Sequence, residues 1–99
     1  MATYTNEKFG VSFTLPDKMT VRKQLDWRGR VIESDGTTFI RHWQAIRPLI
    51  EDWDYEPFPK LADIDLDELT DKKLADVIFW ASNEGAGHMS GLDDIPKNE

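Results

Sequence analysis

The feature that constrains the fold most is a helical repeat of large apolar residues in the middle of the chain. The repeat has spacings of four, three and four residues, and its members are Phe39, Trp43, Ile46 and Ile50, with Leu49 and Trp53 beside them. Such spacing places side chains on one face of an α-helix. It predicts a helix over residues 38–53. Pro48 deletes one backbone donor inside that segment, so we expect a kink or a break near Arg47.

A second amphipathic segment follows Thr20, a candidate N-cap residue. Its apolar residues fall on one side of a helical wheel and are Val21, Leu25, Trp27, Val31 and Ile32. The segment predicts a helix over residues 20–33, ended by the turn residues at positions 34–36. Basic residues take the other side of this helix. They form either a solvated face or a surface for a partner of opposite charge.

A third helical period begins at Thr70 or Asp71. Its members are Leu74, Ile78, Ala81, Gly85, His88 and Leu92. The series continues across Gly85 and Gly87, although a glycine costs about 1 kcal/mol in a helix interior. Either the glycines allow a neighbouring helix to approach closely, or this helix ends near Asn83.

The N-terminal residues have the period of a strand. Phe9, Val11, Phe13 and Leu15 alternate with small or polar residues, which is typical of a half-buried strand. The preceding residues could pair with this strand as a hairpin. A lone hairpin is only marginally stable, so it must either lie on helices or complete the sheet of another protein. We therefore expect an α+β fold, mostly α, in which an N-terminal strand or hairpin is followed by about three helices.

Length and composition limit the possible function classes. Ninety-nine residues, 39% of them apolar and 31% charged, suit one small domain, which we place at residues 1–93 with a polar tail at 94–99. No apolar run approaches the roughly 18 residues of a membrane span, and no signal segment is recognisable. We expect a cytoplasmic protein that binds no membrane. With no Cys and two His, we also expect no disulfide, no metal site and no cofactor.

No catalytic motif is present, so we expect a non-enzymatic protein. The acidic string of Asp63, Asp65 and Asp67 invites a calcium interpretation. A calcium loop of the helix-loop-helix type needs Gly at its sixth position and a carboxylate at its twelfth. Those positions are Glu68 and Leu74 here. The acids are better interpreted as the start of the third helix, where the helix dipole favours negative charge.

Charge is divided unevenly along the chain. Residues 1–50 hold eight Lys/Arg against five Asp/Glu, a balance of +3, and residues 51–99 hold four against fourteen, a balance of −10. A pI near 4.7 argues against nucleic acid as a partner, since phosphate contacts need a basic face. Opposite charge on the two halves allows head-to-tail contacts between copies of the chain. The charged residues expected to contact partners are Arg28, Arg30, Asp65, Asp67 and Glu68.

Three aromatic residues are candidate anchors for a partner. Phe79 lies off the apolar side of the third helix, and Tyr55 and Phe58 lie in a connector over residues 54–63 that contains two prolines. We expect these three side chains to be exposed, where they either bind a partner or cover a helix end. The tryptophans of the second and third helices, by contrast, are expected in the core.

The order of these features resembles a family of bacteriophage proteins. The segments that carry the resemblance are, in chain order, FGVSFTLP, TVRKQLDW, FIRHWQAIRPLIEDW, IDLDELTD, VIFWASNEGAGHM and LDDIPKN. Together they look like the small tail assembly chaperones of long-tailed (siphovirus-type) bacteriophages. The resemblance implies a protein of the host cell cytoplasm that coats the hydrophobic tape-measure protein and brings tail-tube proteins to it. It also implies exposed apolar and acidic surface on the second and third helices, and often a longer form made by ribosomal frameshifting.

Two other functions fit the uneven charge. The chain could be a virion structural protein of the head or tail, of the connector or decoration type, and would then be present in the particle. It could also be an acidic inhibitor that imitates nucleic acid by presenting carboxylates at phosphate-like spacing. Such an inhibitor more often spreads its acids along one continuous face, whereas here they cluster within residues 51–76.

Overall fold

A three-stranded antiparallel sheet is built largely from the start of the chain. In a computed structural model, which describes residues 2–93 and the side chains as far as residue 89, β1 (Ala2–Asn6) pairs with β2 (Val11–Leu15), and β2 pairs with β3 (Asp52–Tyr55). The predicted hairpin is confirmed. Its turn is closed by Gly10, whose φ of 68° is one that residues with a side chain rarely adopt. The predicted polar tail at 94–99 lies outside the described residues.

Three α-helices complete the α+β fold: α1 (Val21–Glu33), α2 (Thr38–Ile46) and α3 (Lys72–Asp93). The side chain of Thr20 accepts a hydrogen bond from the backbone N–H of Lys23 and caps α1, as predicted. Short 3-10 helices follow α2 at Arg47–Leu49 and precede the acidic turn at Leu61–Asp63.

The predicted break near Arg47 is confirmed, because α2 ends at Ile46, whereas the predicted helix over residues 38–53 is wrong beyond that residue. Pro48 stands inside the 3-10 helix, where its missing N–H costs nothing, and the chain then turns into β3. Trp53 and Tyr55 point inward while Asp52 and Asp54 are exposed, the alternation of an edge strand. The start of the predicted connector over 54–63 therefore also belongs to the sheet.

Helix α3 runs without interruption through both glycines, so the predicted alternative end near Asn83 is wrong. A Cβ built on Gly85 would lie 2.5 Å from the side-chain Cγ1 of Ile46 in α2. No such neighbour surrounds Gly87. The predicted close approach of a helix is therefore confirmed at Gly85 and absent at Gly87.

Aromatic rings join the sheet to α2 and α3. Phe13 of β2 is buried, and the rings around it are Tyr4, Trp53 and Trp80, with centroids 5.5, 6.3 and 5.4 Å away. Trp53 also meets Trp43 of α2 edge to face at 5.9 Å. Helix α1 packs on α2, where the Trp27 and His42 rings stack at 6.0 Å. The core thus lies between the sheet and the α2–α3 pair.

A polar link fastens the end of α3 to the hairpin. The Nε2 atom of His88 lies 2.9 Å from the Pro16 carbonyl oxygen, and its Nδ1 atom lies 2.7 Å from the Tyr4 hydroxyl. Because a carbonyl only accepts, Nε2–H donates to Pro16, and the Tyr4 hydroxyl bonds the other ring nitrogen, Nδ1. The histidine thus serves the packing of the fold, which agrees with its place on the predicted apolar side.

Candidate functional site

A largely apolar concavity of the described surface lies between α2 and α3, and we call it the apolar groove. The Phe39 and Phe79 rings form one wall, with centroids 4.3 Å apart, and their residues are 40% and 48% exposed. The groove has a volume of about 260 Å³ and is lined by Phe39, Ile40, Leu66, Ala75, Ile78 and Phe79. The predicted exposure of Phe79 is confirmed. Phe39 belongs to the predicted apolar face of its helix, yet the structure places it at the surface.

A second, more polar hollow adjoins the groove, and we call it the acidic cleft. It measures about 380 Å³, shares Ile40 and Leu66 with the groove, and has Asp65 and Asp67 in its wall. Arg47 also lines it, but its guanidinium donates to the backbone carbonyls of residues 61 and 64 at 2.6 and 3.4 Å. Arg47 therefore holds the floor of the cleft in place.

The acidic residues are positioned by local backbone hydrogen bonds. The Asp65 carboxylate accepts from the Asp67 backbone N–H at 3.0 Å, and its own carbonyl accepts from the N–H groups of Glu68 and Leu69. This turn presents Asp65, Asp67 and Glu68 outward, all three exposed. They precede α3 by several residues, so their predicted place in its first turn is wrong. Asp71 takes that role, since its carboxylate accepts from the N–H groups at positions 73 and 74.

Two of the predicted aromatic anchors belong to the packed interior. Tyr55 is 1% exposed because its strand position points inward, so the prediction of an exposed anchor is wrong for this residue. Burial, with a smaller effect of the Asp71 charge, raises the pKa of Tyr55. Phe58 is half-buried and stacks on Tyr55 at 6.3 Å, while its carbonyl accepts from Trp53 Nε1 at 2.8 Å. The Tyr55–Phe58 pair therefore covers the end of the sheet.

The basic residues of α1 divide into a structural one and surface ones. Arg30 is half-buried and its Nε donates to the Ala45 carbonyl of α2 at 3.4 Å. It therefore ties α1 to α2, which makes it a poor candidate for contact with a partner. Arg28 is exposed. Arg22 is also exposed and forms an ion pair with Asp26 at 3.8 Å.

Sequence reasoning missed an exposed apolar stripe on α1. Val21, Leu25 and Ile32 are 72%, 57% and 75% exposed. At 100° per residue these three positions fall within about 40° of one another on the helix. Trp27 and Val31 point elsewhere and pack against the core. The sequence does carry a signal for this stripe, because the predicted apolar side of the helix is wide enough to include both a buried face and an exposed one.

The described surface combines exposed apolar side chains with exposed carboxylates. Large aromatic and aliphatic side chains are open to solvent beside a fixed set of carboxylates, which suits an amphipathic ligand. Among the side chains described, which end at residue 89, no three His, Asp or Glu residues are grouped so that they could hold one metal ion. None of the helices described is both long and apolar enough to cross a membrane.

Comparison with known proteins does not assign the chain to a family. No protein-family model, no curated protein and no solved structure matches the chain.

Proposed function

We propose that this chain is a non-enzymatic assembly protein whose apolar groove binds an amphipathic segment of another protein. More specifically, we propose that it is a small tail assembly chaperone of a long-tailed bacteriophage. In that role it acts in the host cell cytoplasm, where it keeps the tape-measure protein in solution and brings tail-tube proteins to it. The family part of the proposal rests on the order of sequence segments, and the binding part rests on the groove.

The observation that carries the binding proposal is the exposed Phe39–Phe79 pair. Two phenylalanine rings in contact, each about half open to solvent, leave apolar area in water that a partner could bury. Aromatic side chains in a concave, largely apolar setting are the type of residue that dominates protein–protein binding energy. The groove therefore suits an aliphatic or aromatic side chain of a client.

The acidic cleft adds a preference for the charge of the client. Asp65 and Asp67 stand at the cleft wall beside Leu66, which the cleft shares with the groove. A client helix with apolar residues toward the groove and Lys or Arg toward the cleft would satisfy both surfaces. The expected client is therefore a helix whose apolar stripe is bordered by basic residues.

The test is co-expression with the tape-measure and tail-tube proteins of a long-tailed phage. The wild-type chain should raise the soluble yield of the tape-measure protein and should co-purify with it. Phe79→Asp should abolish both effects, because it places a charge in the groove. Thr5→Asp, which adds the same charge on an exposed position of β1, should leave both effects intact.

A second measurement separates a chaperone from a virion component. Mass spectrometry of purified particles should find the chain absent. Stoichiometric amounts in mature particles would favour the virion structural protein instead. Failure of Phe79→Asp to change the co-purification would contradict the groove as the binding site.

A further inference from the structure

We propose that the apolar groove also accepts α1 from a second copy of this chain, so that copies associate head to tail. The occupant is the exposed α1 stripe, formed by Val21, Leu25 and Ile32. The receiving surface is the apolar groove with the acidic cleft beside it. This inference goes beyond the proposed function, because it needs no client.

The α1 stripe presents aliphatic side chains along a regular helix. It extends over 12 residues of regular helix, from Val21 to Ile32, whose ends are about 16 Å apart at 1.5 Å per residue. Its aliphatic side chains can meet the Phe39 and Phe79 rings and bury apolar area on both copies. On its other side α1 is already fixed to α2 by Trp27, so the stripe is presented on a held helix. Little further ordering is needed when it docks.

The two surfaces cannot meet within one molecule. His42 and Ala45 of α2 face α1, through the Trp27 ring and the Arg30 guanidinium. Ile40 of α2 and Arg47, the residue that follows α2 and keeps its helical backbone, face the acidic cleft. At 100° per residue these two pairs of positions lie about 180° apart on α2. Because α1 and the cleft are on opposite sides of α2, the stripe of one copy reaches only the groove of another. Such a contact is heterologous and repeats into a ring or a filament.

Charge favours this pairing over other orientations. Helix α1 holds four Arg or Lys against two Asp or Glu, whereas residues 61–71 hold five Asp or Glu and no Lys or Arg. Arg22 stands at the edge of the stripe with its side chain 88% exposed. In the docked pair it would lie near the carboxylates of Asp65 and Asp67. Opposite charge of this kind selects the orientation and speeds the encounter, while the apolar contact supplies most of the affinity.

The test compares three variants and one control variant with the wild-type chain by sedimentation velocity, with circular dichroism to confirm that each is folded. The wild-type chain should form concentration-dependent oligomers at low salt. Leu25→Asp on the stripe and Phe79→Asp in the groove should each weaken association by about tenfold or more. Arg22→Glu should weaken it several-fold, and the loss should be smaller above 0.15 M salt, where exposed charges are screened beyond about 8 Å. Lys8→Glu, the same charge reversal on the exposed β1–β2 turn, should leave association unchanged.

The decisive step is to mix Leu25→Asp with Phe79→Asp at a concentration at which each variant alone is monomeric. Leu25→Asp retains an intact groove and Phe79→Asp retains an intact stripe, so together they can form one heterologous contact and no more. The mixture should give a heterodimer of twice the monomer mass and nothing larger. The inference is overturned if the wild-type chain stays monomeric at about 1 mM in low salt, if either variant alone associates as strongly as the wild type, or if the mixture stays monomeric. Since only this chain is present, failure here leaves the client-binding proposal standing, and failure to bind a client leaves this one standing.

Discussion

At the scale of single residues, the absence of a Cβ at Gly85 allows α3 to approach α2 closely. Gly85→Ala would place a methyl carbon 2.5 Å from Ile46, a core residue, so the helices must separate or Ile46 must repack. Overpacking of this kind costs about 1–3 kcal/mol. We expect urea denaturation to show a fall of that size in the free energy of unfolding.

Gly87→Ala is the matched control, two positions along the same helix. A Cβ there meets no neighbour within 4 Å, and alanine is the better helix former, so the free energy of unfolding should rise by up to about 1 kcal/mol. Equal effects of the two substitutions would show that Gly85 serves helix propensity alone.

Tyr4 and Tyr55 make the stability of the folded state depend on pH in the alkaline range. Burial, followed by the charges of Glu84 and Asp17, raises the pKa of Tyr4 above its ordinary value of 10.0. The folded state therefore binds the proton more tightly than the unfolded state does. The stability that this contributes is complete below pH 10 and is lost as the pH rises through the raised pKa. Tyr55 contributes in the same direction.

Tyr4→Phe isolates the contribution of Tyr4. The variant should lose about 1 kcal/mol at neutral pH, because the hydrogen bond to His88 is gone. Above pH 10 its free energy of unfolding should fall less steeply than that of the wild type. Absorbance titration of tyrosinate, with denaturation at each pH, measures both effects. An unchanged slope above pH 10 would contradict the role given to Tyr4.

At the scale of elements, α3 depends on Asp71 for its first turn. The Asp71 carboxylate accepts two backbone hydrogen bonds at 2.9 and 3.2 Å. Asp71→Ala should therefore lower the free energy of unfolding by about 1 kcal/mol. Asp71→Asn keeps an accepting oxygen and should retain most of the stability that the cap contributes. Asp76→Ala, an exposed carboxylate inside α3, should change it by less than about 0.5 kcal/mol. Chemical denaturation of the three variants tests the cap.

Sequence periodicity predicted the elements that carry their own signal. The hairpin, α1 and the start of α2 and α3 follow from alternation, helical spacing and capping residues. The strand β3 was missed because Trp53 also continues the helical spacing from Ile46 and Ile50, and a four-residue strand is stable only once β2 is beside it.

The candidate site was predictable only in part. Phe79 and the acidic turn were identified from the sequence, since exposure off an apolar stripe and a run of acids are local properties. The pairing of Phe79 with Phe39 and the bare stripe on α1 were not identified. Both depend on how the neighbouring helix is placed, and a helical wheel records which residues share a side but not how much of that side is covered.

At the scale of the whole molecule, crowded negative charge should make the fold more stable in salt. Residues 51–71 hold nine Asp or Glu and one Lys, so their mutual repulsion opposes the compact state. Screening should raise the free energy of unfolding by on the order of 1 kcal/mol between low salt and 0.5 M NaCl. Asp67→Lys should raise it at low salt and reduce the salt dependence, whereas Lys8→Glu should not.

The same salt series separates folding from association. Stability should increase with salt while head-to-tail association decreases, because the first is limited by repulsion within one copy and the second is aided by attraction between copies. A decrease of stability with salt would contradict the account of the acidic region.

The link from Tyr4 to His88 has a consequence for the order of events during synthesis. The two residues are 84 positions apart, so the hairpin leaves the ribosome long before the helix that fastens it. At about 5–20 residues per second, the apolar side of β2 waits several seconds for its cover. A hairpin alone is too weak to hold its shape over that interval. The chain therefore completes its fold after translation of α3, and slowing translation ahead of that helix would lengthen the time for which Phe13 is exposed to chaperones and proteases.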